Sequence, residues 1–368
     1  MMITDPGPLV HRARWWHAEG DALRCTLCPH RCLIPNGNTG FCNARANVSG
    51  QLVSLTYGRV CATAVDPIEK KPVFHYRPGA RLYSVGTFGC NLDCDFCQNA
   101  VMARAHLDDI PSVFVTPDEM VGTALEKQVD GIGWTFNDPV VWSEYIIDVS
   151  ALAHARGLFN LLNTNGYIEA RARDELLADI DAVKVDIKGF EERTYKELNG
   201  AALAPVLETC VAIMVRDIHL ELAYPVIPGW TDDPKTLVKF GNWVIEELGR
   251  DVPVHLFRFQ PAHRLSHLHS PELSRMGELK EVLADRGLRF VYLGGVMGED
   301  QDTRCTKCGS VVISRRAEEP GEKIFVKKEQ VSRFCPTFAS VRSSIVDGCC
   351  PKCGESLPIR QNILSGQA

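Results

Sequence analysis

Seven short runs rich in β-branched and aromatic residues recur between residues 81 and 293, and the stretches between them carry apolar residues at helical spacing. The runs are RLYSVG (81–86), GIGWTF (131–136), LFNLLN (158–163), DAVKVD (181–186), HLELAY (219–224), VPVHLF (252–257) and LRFVYL (288–293). VVWSEYIIDVSALAHA is a stretch of the helical kind. Strands that alternate with helices pair in parallel, with the helices as crossovers. The expected fold class is α/β: a partial or full (β/α) barrel of TIM type over residues 80–300, since about 220 residues accommodate six or seven such units. In DAVKVDIK, Val183, Val185 and Ile187 alternate with Lys184, Asp186 and Lys188, so branched and charged residues lie on opposite faces. Helices must cover the branched face, which turns the charged row inward. His219 and Glu221 repeat the pattern in HLELAY. Barrels of this type usually fill their centre with branched side chains, so charges there imply an interior that is wet or holds a polar ligand.

Composition narrows the class further. The 368 residues are 45% apolar and 23% charged, average for a soluble domain, which excludes wholesale disorder. A formal charge of -6 argues against general nucleic-acid binding. The opening MMITDPGPLVHRARWW is broken by charges and prolines, and no run approaches the ~20 apolar residues of a membrane span. The expectation is a cytoplasmic protein with no membrane partner. There the 15 cysteines point to metals rather than disulfides. Cys61, Cys210 and Cys335 stand apart from the groups and read as small hydrophobes.

The grouped cysteines mark three zones. Residues 1–79 form a Cys-rich N-terminal segment of weak periodicity, with Cys25, Cys28, Cys32 and Cys42 spaced C-x2-C-x3-C-x9-C. Zinc and an auxiliary iron-sulfur cluster are both open for those four, because thiolates serve both. Residues 301–368 carry CTKCG and CPKCG, so Cys305, Cys308, Cys350 and Cys353 predict a zinc-ribbon-like module. Cys349 competes with Cys350 for the register, and the hairpin EKIFVKKEQ fits between the knuckles. In the barrel zone, TFGCNLDCDFCQ places Cys90, Cys94 and Cys97 directly after the first strand, at the C-terminal mouth where such barrels keep active sites. A structural zinc needs four ligands. A four-iron cube on three thiolates instead leaves one iron open to a small molecule.

With Phe96 before its last cysteine, this triplet resembles the signature of the radical S-adenosylmethionine (SAM) enzymes. CTLCPHRC, DPIEKKPVFHYRPG, WTFNDPVVWSEY, NTNGYI, VDIKGF and VIPGWTDD, in that order, resemble the radical SAM enzyme of the AmmeMemoRadiSam system, and more distantly the pyruvate formate-lyase activating enzymes. The resemblance runs over roughly residues 23–310. It implies a [4Fe-4S] cluster on Cys90, Cys94 and Cys97, with S-adenosyl-L-methionine on the open iron. Reductive cleavage would release a 5'-deoxyadenosyl radical that abstracts hydrogen from an unidentified substrate. It further implies an electron donor such as flavodoxin or ferredoxin, and partner proteins of the AmmeMemoRadiSam system. Asn137 and Asp138 fall where relatives bind the methionine amino group, although Asp138 before Pro139 reads equally as a helix N-cap. Thr164, Asn165, Asp186 and Lys188 lie at neighbouring strand ends, suited to ribose or carboxylate contacts. His219, Glu221, His255 and Arg258 are the catalytic candidates, and the facing of His255 is ambiguous. Asp66, Glu69, Lys70, Lys71 and His75 match the subfamily motif without disclosing a role. Asp138 stands where relatives more often show Glu, and Asn163 where the activating enzymes show Asp. Two other readings are an activase that installs a glycyl radical on a partner, and a non-enzymatic, metal-stapled binding module.

Overall fold

A computed structural model describes residues 11–296, 301–318 and 337–361. All seven runs form strands, preceded by one more. They are β1 (Ala62–Pro67), β2 (Arg81–Gly86), β3 (Gly131–Trp134), β4 (Phe159–Thr164), β5 (Ala182–Asp186), β6 (His219–Val226), β7 (Val254–Arg258) and β8 (Val291–Gly294). They build one 8-stranded sheet whose spatial order follows the chain. β2 to β8 run parallel, and β1 pairs antiparallel with β2 at the edge. Among the described residues no pairing joins β8 back to β1.

Crossover helices start where the sequence supplies both a cap and a fixed φ. Thr116 before Pro117 forms a capping box with Glu119, and Asp233 before Pro234 accepts from Thr236 N at 3.0 Å. The helices cover the branched face as expected. Val183, Val185, Leu220, Leu222, Val254 and Leu256 share the main core with helical Ile146, Val149, Ile213, Phe240 and Leu279. Cys210 is buried in that core, Cys61 packs on a smaller cluster, and Cys335 and EKIFVKKEQ lie outside the described residues. No single helix among the described residues is long and apolar enough to cross a membrane.

The inner face is polar, and at its base the protein's own chain occupies it. Residues 68–80, between β1 and β2, fold under the sheet. Ile68, Val73, Tyr76 and Ala80 pack on Leu82, Phe159, Leu161 and Ala182. Glu221 on β6 accepts from the backbone of Phe74 (2.8 Å) and His75 (2.7 Å) and from the rings of His219 (2.9 Å) and His255 (2.7 Å). His75 Nε2 reaches the Tyr292 hydroxyl on β8 at 2.7 Å. A segment entering β2 thus touches the last strand, so the sheet curls around it. The motif DPIEKKPVFH thereby acquires a role as the plug of the base, with Lys70 and Lys71 held on Asp66 and Gly79 N on Glu69.

The flanking segments dock at opposite ends. The C-terminal strands Thr303–Arg304, Val311–Glu318 and Thr337–Ser343 form an antiparallel sheet. From it the buried Arg315 donates to Phe74 O (2.6 Å), Gln301 O (2.9 Å) and the Thr303 hydroxyl (2.8 Å). Arg360 and His75 exchange a further backbone bond of 2.8 Å, so this module sits on the plug. The N-terminal segment is more regular than its composition suggests. Two 3-stranded antiparallel sheets of very short strands escape notice because two to four residues carry too little periodicity. The buried pair Arg45 and Glu144 ties this segment to the helix Ser143–Ala155.

Burial raises the Glu221 carboxyl, but the bonds from His219 and His255 outweigh it and hold the group well below the carboxylate range. A depressed acid stabilises the fold above its ordinary value, and that contribution drains away as pH falls toward the depressed one. Glu221→Ala leaves buried donors unpaired, so urea denaturation is expected to show a loss of about 3 to 5 kcal/mol. Glu221→Gln is expected to flatten the fall in Tm below about pH 5 relative to the parent protein.

Candidate metal centres

The loop from Thr87 to Asn99 leaves the C-terminal end of β2 and carries Cys90, Cys94 and Cys97. Two glycines let it pass. A Cβ on Gly86 would stand 2.6 Å from Thr135 O, and one on Gly89, at φ +82°, would collide with the carbonyl oxygen of Cys42. Side chains then pin the loop from every side. Asn137 accepts from Thr87 N (3.0 Å) and donates to Gly89 O (2.8 Å). Asn91 donates to Tyr167 O (2.6 Å) and accepts from Asn165 (2.9 Å). Asn99 donates to Phe136 O at 2.6 Å. Arg264 spans Asp93 and Asp95 at 2.9 and 2.7 Å.

So held, the loop keeps its three cysteines partly buried. Burial raises the Cys90 thiol well above its usual value, and the charges of Asp138 and Cys94 raise it further. Burial likewise lifts Cys94 to about 12 despite the nearby Lys188 ammonium. Metal-free, both sites are protonated at neutral pH, and a metal must displace those protons to bind.

Four further strand ends, those of β3, β4, β5 and β7, form a rim around the triplet. The Asp138 carboxylate accepts from Val140 N (3.0 Å), Asn165 N (2.6 Å) and the Thr164 hydroxyl (3.2 Å). The N-cap is therefore real, and the same group faces the cluster loop. Burial lifts Asp138 to about 6 against those donors. Burial also pushes Asp186 up, but Lys184 and Lys188 outweigh it and hold the carboxyl at about 2. Lys188 Nζ lies 2.9 Å from Asp186 and 6.0 Å from the Phe96 ring centre. Asn163 donates to the Thr135 hydroxyl at 3.1 Å while its buried Oδ1 has no partner. Arg258 closes the rim at the end of β7, donating to Pro271 O at 2.7 Å. Asn137, Asp138, Thr164, Asn165, Asp186 and Lys188 are thus gathered with the three cysteines. His219, Glu221 and His255 are not; their hydrogen bonds belong to the plugged base. Sequence reasoning passed over Asn91 and Arg264. Asn91 adjoins Cys90 and had that signal, whereas Arg264 meets the loop only through the fold.

Two more cysteine sets flank the sheet. Cys25, Cys28, Cys32 and Cys42 line one cleft beside the loop of Cys90, Cys94 and Cys97. At the other end, the Sγ atoms of Cys305, Cys308, Cys350 and Cys353 all lie within 4.8 Å of one another. The pairs Cys305 and Cys353, and Cys308 and Cys350, are 3.6 and 3.7 Å apart. Bonds of ~2.3 Å at tetrahedral angles put thiolates about 3.8 Å apart, so this set fits a single ion. Cys349 instead bridges Val346 and Ser356 through its backbone. Cys350→Ser is expected to remove the metal of this module, and Cys349→Ser to retain it, by elemental analysis of the purified chains.

The Radical SAM superfamily profile matches residues 84–241, the span from β2 through the helix after β6. The uncharacterized protein MJ0808 of Methanocaldococcus jannaschii is 37% identical over 298 residues, covering 81% of this chain and 89% of its own. The pyruvate formate-lyase 1-activating enzyme of Escherichia coli K12 is 22% identical over 219 residues, 55% of this chain and 89% of that one. Among solved structures, a domain of pyruvate-formate lyase-activating enzyme from Bacteroides vulgatus aligns at a TM-score of 0.40 with 17% identity, over 45% of this chain and 99% of that one. The chain belongs to the radical SAM superfamily.

Proposed function

We propose that this protein is a radical SAM enzyme of the AmmeMemoRadiSam type. In this reading Cys90, Cys94 and Cys97 hold a [4Fe-4S] cluster, and S-adenosyl-L-methionine lies along the rim. The supporting observation is that one pinned loop carries three partly buried cysteines beside the rim of Asn137, Asp138, Thr164, Asn165, Asp186 and Lys188. The donor set suits the group: soft thiolates for iron, and polar groups of both signs for a zwitterionic nucleoside. The unpartnered Asn163 Oδ1 offers one more acceptor on the inner face.

When bound, the cluster and its cosubstrate supply one-electron cleavage of a sulfonium bond, giving a 5'-deoxyadenosyl radical that takes hydrogen from a substrate. The chain supplies position and exclusion. Asn137 fixes the entry of the loop, Arg264 its middle and Asn91 its inner wall. Asp138 orients Thr164 and Asn165, and Lys188 offers a cation toward a carboxylate. The plug closes the base, so substrate enters by the mouth, where Arg258 lies. In the same reading the chain divides into residues 1–79, a partial (β/α) barrel at 80–300 and a zinc-ribbon-like module at 301–368. It works in the cytoplasm with a flavodoxin- or ferredoxin-like donor. The similarity to activating enzymes supports a second reading, an activase acting on a glycyl-radical partner.

Anaerobic reconstitution with iron and sulfide, followed by SAM and dithionite, is expected to yield 5'-deoxyadenosine from the parent chain and none from Cys94→Ala. Zinc at the triplet with no SAM cleavage would sink the proposal. A glycyl-radical electron paramagnetic resonance signal on a partner protein would favour the second reading. Asn137→Ala removes a group that orients the ligand loop, and is expected to weaken iron retention about 10- to 100-fold, read by iron content after gel filtration.

A further inference from the structure

Cys25, Cys28, Cys32 and Cys42 enclose a second site whose chemistry differs from that of the C-terminal four. Cys25 ends one short strand and Cys32 precedes another, and Cys25 N donates to Cys32 O at 2.9 Å, so the hairpin loop turns its thiols to one side. Cys42 is brought in by the turn before the strand Arg45–Val48. A lone zinc would draw the four sulfurs to about 3.8 Å of one another. Among the described residues the C-terminal set gathers in that way. The N-terminal thiols line a shared cleft beside the triplet loop, a four-thiolate set that also suits iron-sulfur centres.

The surroundings are those of a buried anion. Arg45, fully buried, directs Nη1 at Cys25 Sγ, 3.8 Å away, while its Nε has no hydrogen-bond partner. Glu144 balances its charge and Nη1 also donates to Arg14 O at 2.8 Å, which leaves the buried Nε as the unsatisfied donor. A centre ligated by four thiolates would place negative charge beside that donor. Phe41 N also donates to Cys32 Sγ at 3.4 Å, the kind of bond that tunes the potential of iron-sulfur centres.

The cleft also abuts the triplet loop. His30, between Cys28 and Cys32, donates Nε2 to Asn91 O at 2.8 Å, and Asn91 follows Cys90. The Cys42 carbonyl lies where Gly89 can have no side chain, and Asn43 donates to Arg104 O beyond the same loop at 3.1 Å. The first two contacts each lie within two residues of a cysteine of both sites.

We infer that Cys25, Cys28, Cys32 and Cys42 hold a second, fully cysteine-ligated [4Fe-4S] cluster, placed to pass electrons to the Cys90, Cys94 and Cys97 site. A low-potential one-electron protein donor reduces this cluster by one electron, and its reoxidation hands that electron to the neighbouring site with no bond made or broken. The electron path rests on the radical SAM reading above; the cluster itself does not.

The test uses full-length chain reconstituted with iron and sulfide. Cys90→Ala/Cys94→Ala/Cys97→Ala is expected to retain about four irons per chain and to give, on dithionite reduction, a paramagnetic signal that SAM leaves unchanged. An iron-free triple variant, or one with a second zinc in place of iron, overturns the inference. This arm leaves the N-terminal cysteines intact, so it does not depend on the folding of their variants. Cys28→Ser/Cys32→Ser is expected to lose a similar amount of iron from the parent level, and equal iron in the two sinks this inference alone. Equal iron in the parent and the triple variant sinks the radical SAM reading and leaves the N-terminal cluster standing. For the path, the ratio of 5'-deoxyadenosine formed with reduced flavodoxin to that formed with dithionite is expected to fall about tenfold or more in Cys28→Ser/Cys32→Ser. An unchanged ratio overturns the electron path.

Discussion

A curled parallel sheet can present charges on its inner face only if each charge finds a partner there, because an unpaired ion away from water costs several kcal/mol. This constraint divides the interior in two. At the base Glu221 draws the Phe74 and His75 amides and the His219 and His255 rings onto one carboxylate. At the mouth Asp186 lies between Lys184 and Lys188, and Asp138 takes the donors at the ends of β3 and β4. At the base the chain itself supplies most partners, with His75 Nδ1, Glu69 Oε2 and Arg315 Nε left over, and at the mouth Asn163 Oδ1 is left over. The two ends therefore differ in what occupies them, the plug at one and the cysteine loop at the other.

Strand facing was legible because the two-residue period of DAVKVDIK is unambiguous and helices have to cover something apolar. All seven runs were legible for the same reason. β3 ends before its run does because Phe136 takes φ 73° and turns the chain toward the loop. The triplet was legible because its ligands are local in sequence. The fate of the inward charges was not. His219 and Glu221 looked like a lining for a ligand, but the groups that meet them come from residues 74 and 75, about 145 positions away, and nothing in HLELAY discloses a plug. DPIEKKPVFH was opaque for the complementary reason: its amides, rather than its charged side chains, contact Glu221.

Cysteine spacing alone leaves the metal open at both ends. C-x2-C occurs in both flanking segments, and a knuckle alone serves zinc or iron. The fold decides how the second half approaches. In the C-terminal module two glycine-closed knuckles face each other and the sulfurs come to 3.6 and 3.7 Å. In the N-terminal segment Cys42 returns from a separate turn, and Arg45 and His30 share the lining with the four thiols.

Where each metal site docks then bears on what it can do. The C-terminal module touches the sheet through Arg315 and Arg360 on the plug, at the end that Glu221 ties together. A metal there can act on the core only by holding Arg315 in place, which makes its contribution one of stability. The N-terminal segment touches the sheet through Gly89, Asn91 and Glu144, at the end that carries the thiol triplet. Electrons or strain arising in this segment need cross no more than a carbonyl and an imidazole to reach the cysteine loop. The two cysteine-rich ends of one chain thus dock at opposite ends of a sheet that carries Leu82, Leu161 and Ala182 under the plug and the Asp138 and Asp186 carboxylates at the mouth.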